Sequence, residues 1–347
     1  MDRQDFITRN LYRRSLLSYL LLPFSLVNYV GQYFHKLYYS VFTTRIFHSK
    51  IPIISIGNIV SGGSGKTPFT VFLAKFLADT GKKVAVSHRD YKGKFENTNQ
   101  LLSDRVGYLP ELLDAGDEAA LLAEKLKGIP VIAGRNRKRS LKVLVEKYPD
   151  LDYIILDDSF QHLKVYHDYD FIIFQAQAGF GNGFILPAGI LREPLSSLKR
   201  ADFIVWNGKE PLDSRITLSE KPIIKGQTHC TGLRDGIGNH IDLNTLQDKK
   251  LVLLSGIGFP QGFEHTIQAL GLSYTHHYKM PDHYQYTDQG FLNQLDHDCK
   301  SHHIDYIITT EKDFVKLRKT DFNLPLLIVE IEFVPDQDSL LYIQSLL

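Results

Sequence analysis

The chain alternates short apolar runs with segments whose apolar residues recur at helical spacing. Residues 51–56 (IPIISI) form a continuous apolar run that ends at Gly57, which is typical of a buried parallel strand. Residues 67–80 carry apolar side chains three to four positions apart before Gly81, which predicts a helix and its end. Similar patterns predict a helix at 117–127 and strands at 83–87, 130–133, 153–156, 171–174 and 203–206. Strands that alternate with helices indicate a parallel, doubly wound α/β sheet with helices on both faces.

A second α/β pattern follows a polar stretch. We predict a boundary near residues 208–221, and the segment up to about Asn244 is polar and rich in glycine, with a strand-like run at 222–224. Beyond it, apolar patterns predict a helix at 263–270 and strands at 250–255, 304–309 and 325–331. We therefore divide the chain into an N-terminal segment (1–48), a larger α/β domain (49–215), and a linker with a smaller C-terminal α/β domain (216–347).

The N-terminal segment differs from the rest in charge. No charged residue occurs between Ser15 and His35, a run about as long as a membrane-spanning helix requires. Basic residues flank the run, and tyrosines along it suit a headgroup region, but Pro23 and Asn28 interrupt it. We interpret residues 15–35 as a membrane-associating segment, either interfacial or a marginal span. The alternative is a helix that packs on the protein's own core.

Composition excludes some classes of function. The 347 residues have a formal net charge of +1, so nothing in the overall charge favours a nucleic-acid partner. The two cysteines, Cys230 and Cys299, lack the spacing of metal ligands, and the histidines show no zinc pattern.

The most specific motif lies between the strand at 51–56 and the helix at 67–80. Glycines there allow backbone N–H groups to converge on phosphate oxygens, and the helix N-terminus adds donors. Lys66 would neutralise the β- and γ-phosphates of a nucleotide, and Thr67 would bind Mg²⁺. Val60 stands where such loops usually have their first glycine. The nucleotide-binding residues are predicted to be Ser61, Gly62, Gly63, Ser64, Gly65, Lys66 and Thr67.

For each of several other polar residues, both a functional and a purely structural role fit the sequence. Asp157 and Asp158 directly follow a predicted strand, where a phosphate-loop protein holds Mg²⁺, although turn carboxylates are also common there. Asp117 begins a predicted helix and could be only its N-cap. His283 follows an aspartate in a loop (KMPDHYQYT) and is either a general base or part of a surface loop. Glu193 lies after a glycine-rich stretch that could be purely structural.

Eight segments, which run in order across nearly the whole chain, carry a resemblance to a known family. They are SIGNIVSGGSGKTP (55–68), SHRDY (87–91), GDEA (116–119), LDDSFQH (156–162), FGNGFILPAGILREPLSSLKRAD (180–202), SGIGFP (255–260), MPDHYQYT (280–287) and TTEKDFVKL (309–317). Together they resemble the tetraacyldisaccharide 4′-kinase family of the lipid A pathway. The long 180–202 block and LDDSFQH are far more specific than the phosphate loop, and the family also lacks the first glycine of the loop, where this chain has Val60. Ser159 and Asp90 stand where the family usually has glycine, and Tyr284 replaces a second histidine, which leaves His283 as the histidine of its loop.

The resemblance implies a P-loop NTPase-like kinase domain at 49–215 that uses ATP and Mg²⁺. The acceptor would be the 4′-hydroxyl of a tetraacyl glucosamine disaccharide 1-phosphate, a lipid at the cytoplasmic face of the inner membrane of a Gram-negative-type bacterium. Asp117 and His283 would form the base, with Lys66 as the third catalytic residue. The metal ligands are predicted among Thr67, Asp157, Asp158 and Glu193.

Three other functions fit parts of the sequence. A membrane-associated regulatory ATPase usually has lysine at the start of its loop, where this chain has Ser61. A kinase of a small soluble metabolite does not account for the uncharged segment at 15–35. A nucleotide-gated binding protein without transfer chemistry would not require Asp117 or His283.

Overall fold

The structure, a computed structural model, describes residues 10–346 except 92, 218, 283 and 321–324. The strands are β1 (Ile53–Gly57), β2 (Val84–His88), β3 (Gln100–Ser103), β4 (Val131–Ala133), β5 (Tyr153–Asp157), β6 (Tyr169–Gln175), β7 (Phe203–Asn207), β8 (Ile223–Asp235), β9 (His240–Ile241), β10 (Leu251–Ser255), β11 (His276–Lys279), β12 (Tyr306–Thr310) and β13 (Leu326–Pro335). The helices are α1 (Leu16–Leu20), α2 (Leu22–Val41), α3 (Lys66–Asp79), α4 (Asp117–Lys125), α5 (Arg137–Lys147), α6 (Ser214–Thr217), α7 (Pro260–Ala269), α8 (Gln289–Ser301), α9 (Glu311–Leu317) and α10 (Gln337–Leu346).

All the strands within the described residues join one mixed, mostly parallel sheet, which confirms the predicted α/β class. Twelve strands follow the order β11-β10-β12-β13-β8-β7-β6-β1-β5-β2-β4-β3, and β9 pairs with β8. Antiparallel pairing occurs between β13 and β8, β3 and β4, and β8 and β9. Because β8 pairs with β7 on one side and β13 on the other, the sheet continues from the N-terminal strands into the C-terminal ones. The division into 49–215 and 216–347 stays a prediction.

Alternate residues of the central strands face opposite layers of helices. Ile54 and Ile56 of β1 pack in a cluster with α3 and α4, whereas Ile53 belongs to a cluster with α5. The C-terminal strands behave alike, since Leu253 packs with α7 and Leu254 with α8. Both faces of the sheet are therefore covered, which explains why these strands read as continuous apolar runs.

The polar segment before Asn244, predicted to be mainly a linker, contains the longest strand of the sheet. Strand β8 extends from Ile223 to Asp235, and β9 pairs back on its end. Many β8 side chains are partly exposed, so the strand lacks the continuous apolar run from which a buried strand can be predicted. For the same reason the sequence missed β11, whose residues are His-His-Tyr-Lys, and helix α5, most of whose side chains are polar.

The N-terminal apolar run forms two helices. The run breaks at Leu21, where α1 ends, and Pro23 lies in the first turn of α2. Within the described part of the chain, no helix has both the length and the apolar character needed to cross a bilayer. A membrane span at 15–35 is therefore not found, because the polar side chains of Ser25, Asn28 and Gln32 interrupt the apolar sequence of α2.

Candidate active site

The phosphate loop joins the carboxyl end of β1 to the start of α3. Gly62 and Gly65 have φ angles of 103° and 82°, a region that favours glycine. At Gly65, which directly precedes α3, an added Cβ would lie 2.2 Å from Nδ2 of Asn207. Side chains also fix the loop: Nδ2 of Asn58 donates to Oγ of buried Ser64 at 2.8 Å. The predicted strand–loop–helix context is confirmed.

Val60, the departure from the usual loop, has a packing role. Its side chain is buried, and its backbone forms a β-bridge with Leu191. The next backbone N–H, of Ser61, donates to the carbonyl of Ile190 at 2.7 Å. The loop is thus attached to the specific 180–202 block.

Lys66 lies beside an acidic residue, Asp158, which directly follows β5. Nζ of Lys66 is 3.4 Å from Oδ1 of Asp158, and Nη1 of Arg192 approaches the same oxygen at 3.4 Å. Burial acts to raise the pKa of Asp158, but the charges of Lys66 and Arg192 hold it below its ordinary value. Asp158 is therefore ionised beside the loop.

Asp157 differs from its neighbour in burial. Its carboxylate accepts a hydrogen bond from Oγ1 of Thr70 at 3.0 Å, and burial raises its pKa. Arg137, which the sequence did not single out, is also buried and donates to the carbonyl of Asp157 and, at 3.1 Å, to Oγ of Ser87. Burial lowers the pKa of Arg137 to about 10, so it keeps its charge at neutral pH.

Glu193 lies among cations. Its Oε2 atom is 2.6 Å from Nζ of Lys36 in α2 and 2.8 Å from Nη2 of Arg200. Burial acts to raise its pKa, but Arg200 and Lys36 hold it below the ordinary value. These contacts occupy one carboxylate oxygen and link the 180–202 block to α2.

The predicted magnesium ligands are not one acidic cluster. Across the described ranges, no three His, Cys, Asp or Glu side chains group as a metal site. A phosphate-loop site needs fewer protein ligands, because a hydroxyl and a carboxylate act together with the nucleotide's phosphate oxygens. Thr67 and Asp158, beside the loop, fit that donor set.

Asp117 is the first residue of α4 and is 8% exposed. Gly116 is the N-cap, so the interpretation of Asp117 as only an N-cap is wrong. Nζ of the buried Lys316 lies 3.7 Å from Oδ2 of Asp117. A cavity of about 150 Å³ opens beside Asp117 and is also lined by Lys316 and Gln285.

His283 lies outside the described residues. Its loop nevertheless reaches this region: Gln285 lines the cavity of Asp117, and Asp282 is 3.7 Å from Nζ of Lys312. The loop is held at both ends, because the N–H of Met280 donates to the carbonyl of Ser255 at 2.8 Å and the Tyr286 side chain is fully buried.

His88 lies between the start of α4 and the carboxyl end of β5. Apart from its place in the SHRDY segment, no sequence pattern marks it as a site residue. Its Nδ1 accepts the N–H of Asp90 at 3.0 Å, so a neutral ring carries its proton on Nε2. Nε2 lies 3.5 Å from Glu118 and 3.9 Å from Asp157. The start of α4 and the end of β5 are therefore parts of one polar site.

Comparisons with known proteins agree on one family. The family described as tetraacyldisaccharide-1-P 4′-kinase (LpxK) matches residues 17–345. The tetraacyldisaccharide 4′-kinase of Syntrophus aciditrophicus is 33% identical over 337 residues, which cover 92% of this chain and 90% of the relative. That of Desulfotalea psychrophila is 36% identical over 290 residues, with 81% and 83% covered. A crystal structure of LpxK from Aquifex aeolicus in complex with ATP has a TM-score of 0.75 and 27% identity, covering 94% of this chain and 99% of that one.

Proposed function

The chain belongs to the tetraacyldisaccharide-1-P 4′-kinase family, and on that premise we propose how its own residues carry out the transfer. It is an ATP-dependent kinase of lipid A biosynthesis that phosphorylates the 4′-hydroxyl of a tetraacyl glucosamine disaccharide 1-phosphate. The sugar oxygen bonds to the γ-phosphorus of ATP, the bond from that phosphorus to the β–γ bridging oxygen breaks, and ADP leaves. The hydroxyl proton passes to a base. Such a transfer depends mainly on positioning and charge neutralisation.

The phosphate side of the reaction is assigned to the loop and its neighbours. The amides of residues 61–67 hold the phosphates, and Lys66 neutralises charge that develops on them. Asp158 orients the Lys66 ammonium, and Arg192 contacts the same carboxylate oxygen of Asp158. When bound, Mg²⁺ neutralises phosphate charge. We assign it to Thr67 and Asp158, with Asp157 acting directly or through water and Glu193 as a further candidate.

The acceptor side is assigned to Asp117 and His283. Either His283 takes the hydroxyl proton while Asp117 orients its ring, or Asp117 accepts the proton itself. One observation carries this proposal: Nε2 of His88 lies within 3.5 Å of Glu118 and 3.9 Å of Asp157. The helix that begins with Asp117 and the carboxyl end of β5, beside the phosphate loop, therefore meet across the imidazole ring of His88.

A direct assay tests the function. The protein is incubated with ATP, Mg²⁺ and a tetraacyl disaccharide 1-phosphate, and mass spectrometry measures the gain of one phosphate on the distal sugar. We expect product to form and ATP consumption to depend on the lipid. A regulatory ATPase would instead hydrolyse ATP without the acceptor. Intact ATP binding with no lipid product would contradict the assignment.

Membrane contact is proposed from the orientation of α2. Its polar side chains face the protein: Ser25 donates to the carbonyl of Ile185 at 2.7 Å, and Asn28 to that of Leu186 at 3.0 Å. Lys36 continues the same stripe with its ion pair to Glu193. The outward-facing side chains are large and apolar, the reverse of a helix that covers a core. The exposed ones on α1 and α2 are Leu16, Tyr19, Leu20, Phe24, Leu26, Val27, Tyr29, Val30, Tyr33, Phe34, Leu37 and Val41.

An interfacial helix that lies on the membrane accounts for this surface. Attachment through the 180–202 block would hold the phosphate loop near the lipid surface, since that block contacts both α2 and Ser61. We propose that the protein works at the cytoplasmic face of the inner membrane, where ATP and the lipid acceptor meet.

Substituting two outward-facing residues should weaken membrane binding. Leu20 and Val27 are 65% and 73% exposed. Burial of each such side chain contributes roughly 1.5–3 kcal/mol, so Leu20→Glu/Val27→Glu should lower partitioning into vesicles by at least about tenfold. Sedimentation with phosphatidylethanolamine–phosphatidylglycerol vesicles measures it. The control, Val106→Glu/Ile237→Glu, changes two apolar residues elsewhere that are even more exposed, at 90% and 88%. Equal partitioning of both variants would argue against the interfacial role.

A further inference from the structure

Helices α4 and α9 face each other with complementary charges. They come from the two predicted α/β domains, so their contact joins the element that begins with Asp117 to the C-terminal part of the chain. Each acidic residue of α4 contacts a cation of α9 or of the residue after it, and the one basic residue of α4 contacts an acid of α9. The pairs are Asp117–Lys316, Glu118–Lys312, Glu124–Arg318 and Lys125–Glu311.

Lys312 has an additional partner. Its Nζ donates to Oε1 of Glu118 at 3.0 Å and lies 3.7 Å from Oδ1 of Asp282. Both partners are adjacent in sequence to the proposed base residues: Glu118 follows Asp117, and Asp282 precedes His283. One ammonium group thus contacts the neighbours of both members of the base pair.

We propose that Lys312 is a positioning residue that holds Asp282 close to Glu118 at the start of α4, so that Asp117 and His283 act together on the acceptor hydroxyl. The inference rests on the proposed function of those two residues. Lys312 touches neither nucleotide nor acceptor in this scheme. It acts through Glu118 and Asp282.

The neighbours of Glu118 fix the position of its carboxylate, which in turn contacts Lys312. Its second oxygen is 3.5 Å from Nε2 of His88, and the His88 ring is itself fixed by the N–H of Asp90. Although burial acts to raise the pKa of Glu118, His88 and Lys312 hold it well below its ordinary value. Glu118 is therefore an oriented anion, and it keeps Lys312 in one place.

Asp282, the other partner of Lys312, is less firmly held than Glu118. Asp282 is about half exposed, and in the chain it lies between the anchored residues Met280 and Tyr286. Lys312 stays charged, because Glu118, Asp117 and Asp282 raise its pKa against the opposing effect of burial. The ion pair between Lys312 and the half-exposed Asp282 adds little to stability, so the effect of losing that pair should appear in turnover rather than in folding.

The test compares Lys312→Met with Lys312→Arg in the full chain. Misplacing a reacting group by about 1 Å can cost about 100-fold in rate, so we expect Lys312→Met to lower kcat by about 10- to 100-fold. ATP affinity and the apparent Tm should stay near wild type. Lys312→Arg, which keeps the charge and can bridge two carboxylates, should recover most of the loss. Lys300→Met is the matched control, because Lys300 is 70% exposed and pairs with Asp296 within α8.

Several outcomes would overturn the inference. Wild-type kcat in Lys312→Met, a loss of ATP affinity equal to the loss of turnover, or no recovery in Lys312→Arg would each do so. If Lys312→Met does not fold, Asp282→Asn removes only the loop side of the contact, and a normal kcat there has the same meaning. If Asp117→Asn and His283→Ala both keep normal turnover, the proposed base fails instead. If Lys312→Met has a normal kcat but Asp117→Asn is inactive, only the proposed role of Lys312 is contradicted, and the proposed base stands.

Discussion

Lys66→Met is expected to slow phosphoryl transfer by about 10³-fold, the order of effect seen when one preorganised charge-stabilising donor is removed. The Lys66 side chain is 15% exposed, and the carboxylate of Asp158 lies 3.4 Å from its ammonium. Methionine fills similar space without the charge, so the loop should keep its shape. Single-turnover transfer from ATP to the lipid acceptor measures the rate, and thermal unfolding checks the fold.

A second lysine of the same helix supplies the control. Lys75 is on the exposed side of α3, where it pairs with Glu332 at 3.8 Å. Lys75→Met should leave transfer within about twofold of wild type, since surface ion pairs contribute little. A rate for Lys66→Met within tenfold of wild type would contradict the assignment of Lys66 to the transferring phosphates.

Hydrophobic patterning predicted the strands that are buried on both faces. Residues such as Ile54 and Leu253 belong to apolar runs because helices cover each side of the sheet. The same reasoning failed for β8 and α5, where much of the surface is polar and the buried positions are few. Their structure depends on pairing with β7 and β13, and on packing against β2 and β4, which no local pattern records.

Local motifs likewise predicted only the local part of the site. The phosphate-binding role proposed for residues 61–67 depends on consecutive amides, so their spacing in the sequence is sufficient to identify them as candidates. The contacts of Arg137, His88 and Lys312 instead join elements that are distant in the chain, and no spacing rule reveals such contacts.

Two departures from common patterns have structural explanations. Asp90 stands where the family usually has glycine, and its φ angle is 59°, a conformation that aspartate tolerates better than most residues. Its carboxylate also accepts the N–H of Gly116, the N-cap of α4, at 2.8 Å. Val60 replaces a glycine but packs against the 180–202 block. Both substitutions are compatible with the positions of Asp117 and the phosphate loop.

Asp117→Asn is expected to lower kcat by about 10²- to 10⁴-fold, the usual contribution of a general base. Asparagine is nearly the same size, but it cannot accept the hydroxyl proton or balance a charged imidazole. Asp117 contacts Lys316 rather than the phosphate loop, so ATP affinity should change little. Lipid phosphorylation and ATP binding, measured on the same preparation, separate the two effects.

Asp114→Asn is a close control, because Asp114 lines the same cavity but is about half exposed and pairs with Lys94. We expect it to retain near-normal turnover. If Asp117 and His283 act as one unit, Asp117→Asn/His283→Ala should be about as slow as the slower single variant, since either loss already disables the pair. Multiplying losses would mean that the two side chains act independently. A parallel loss of ATP binding in Asp117→Asn would mean that this carboxylate supports the nucleotide site, and the base would have to be sought elsewhere along the cavity.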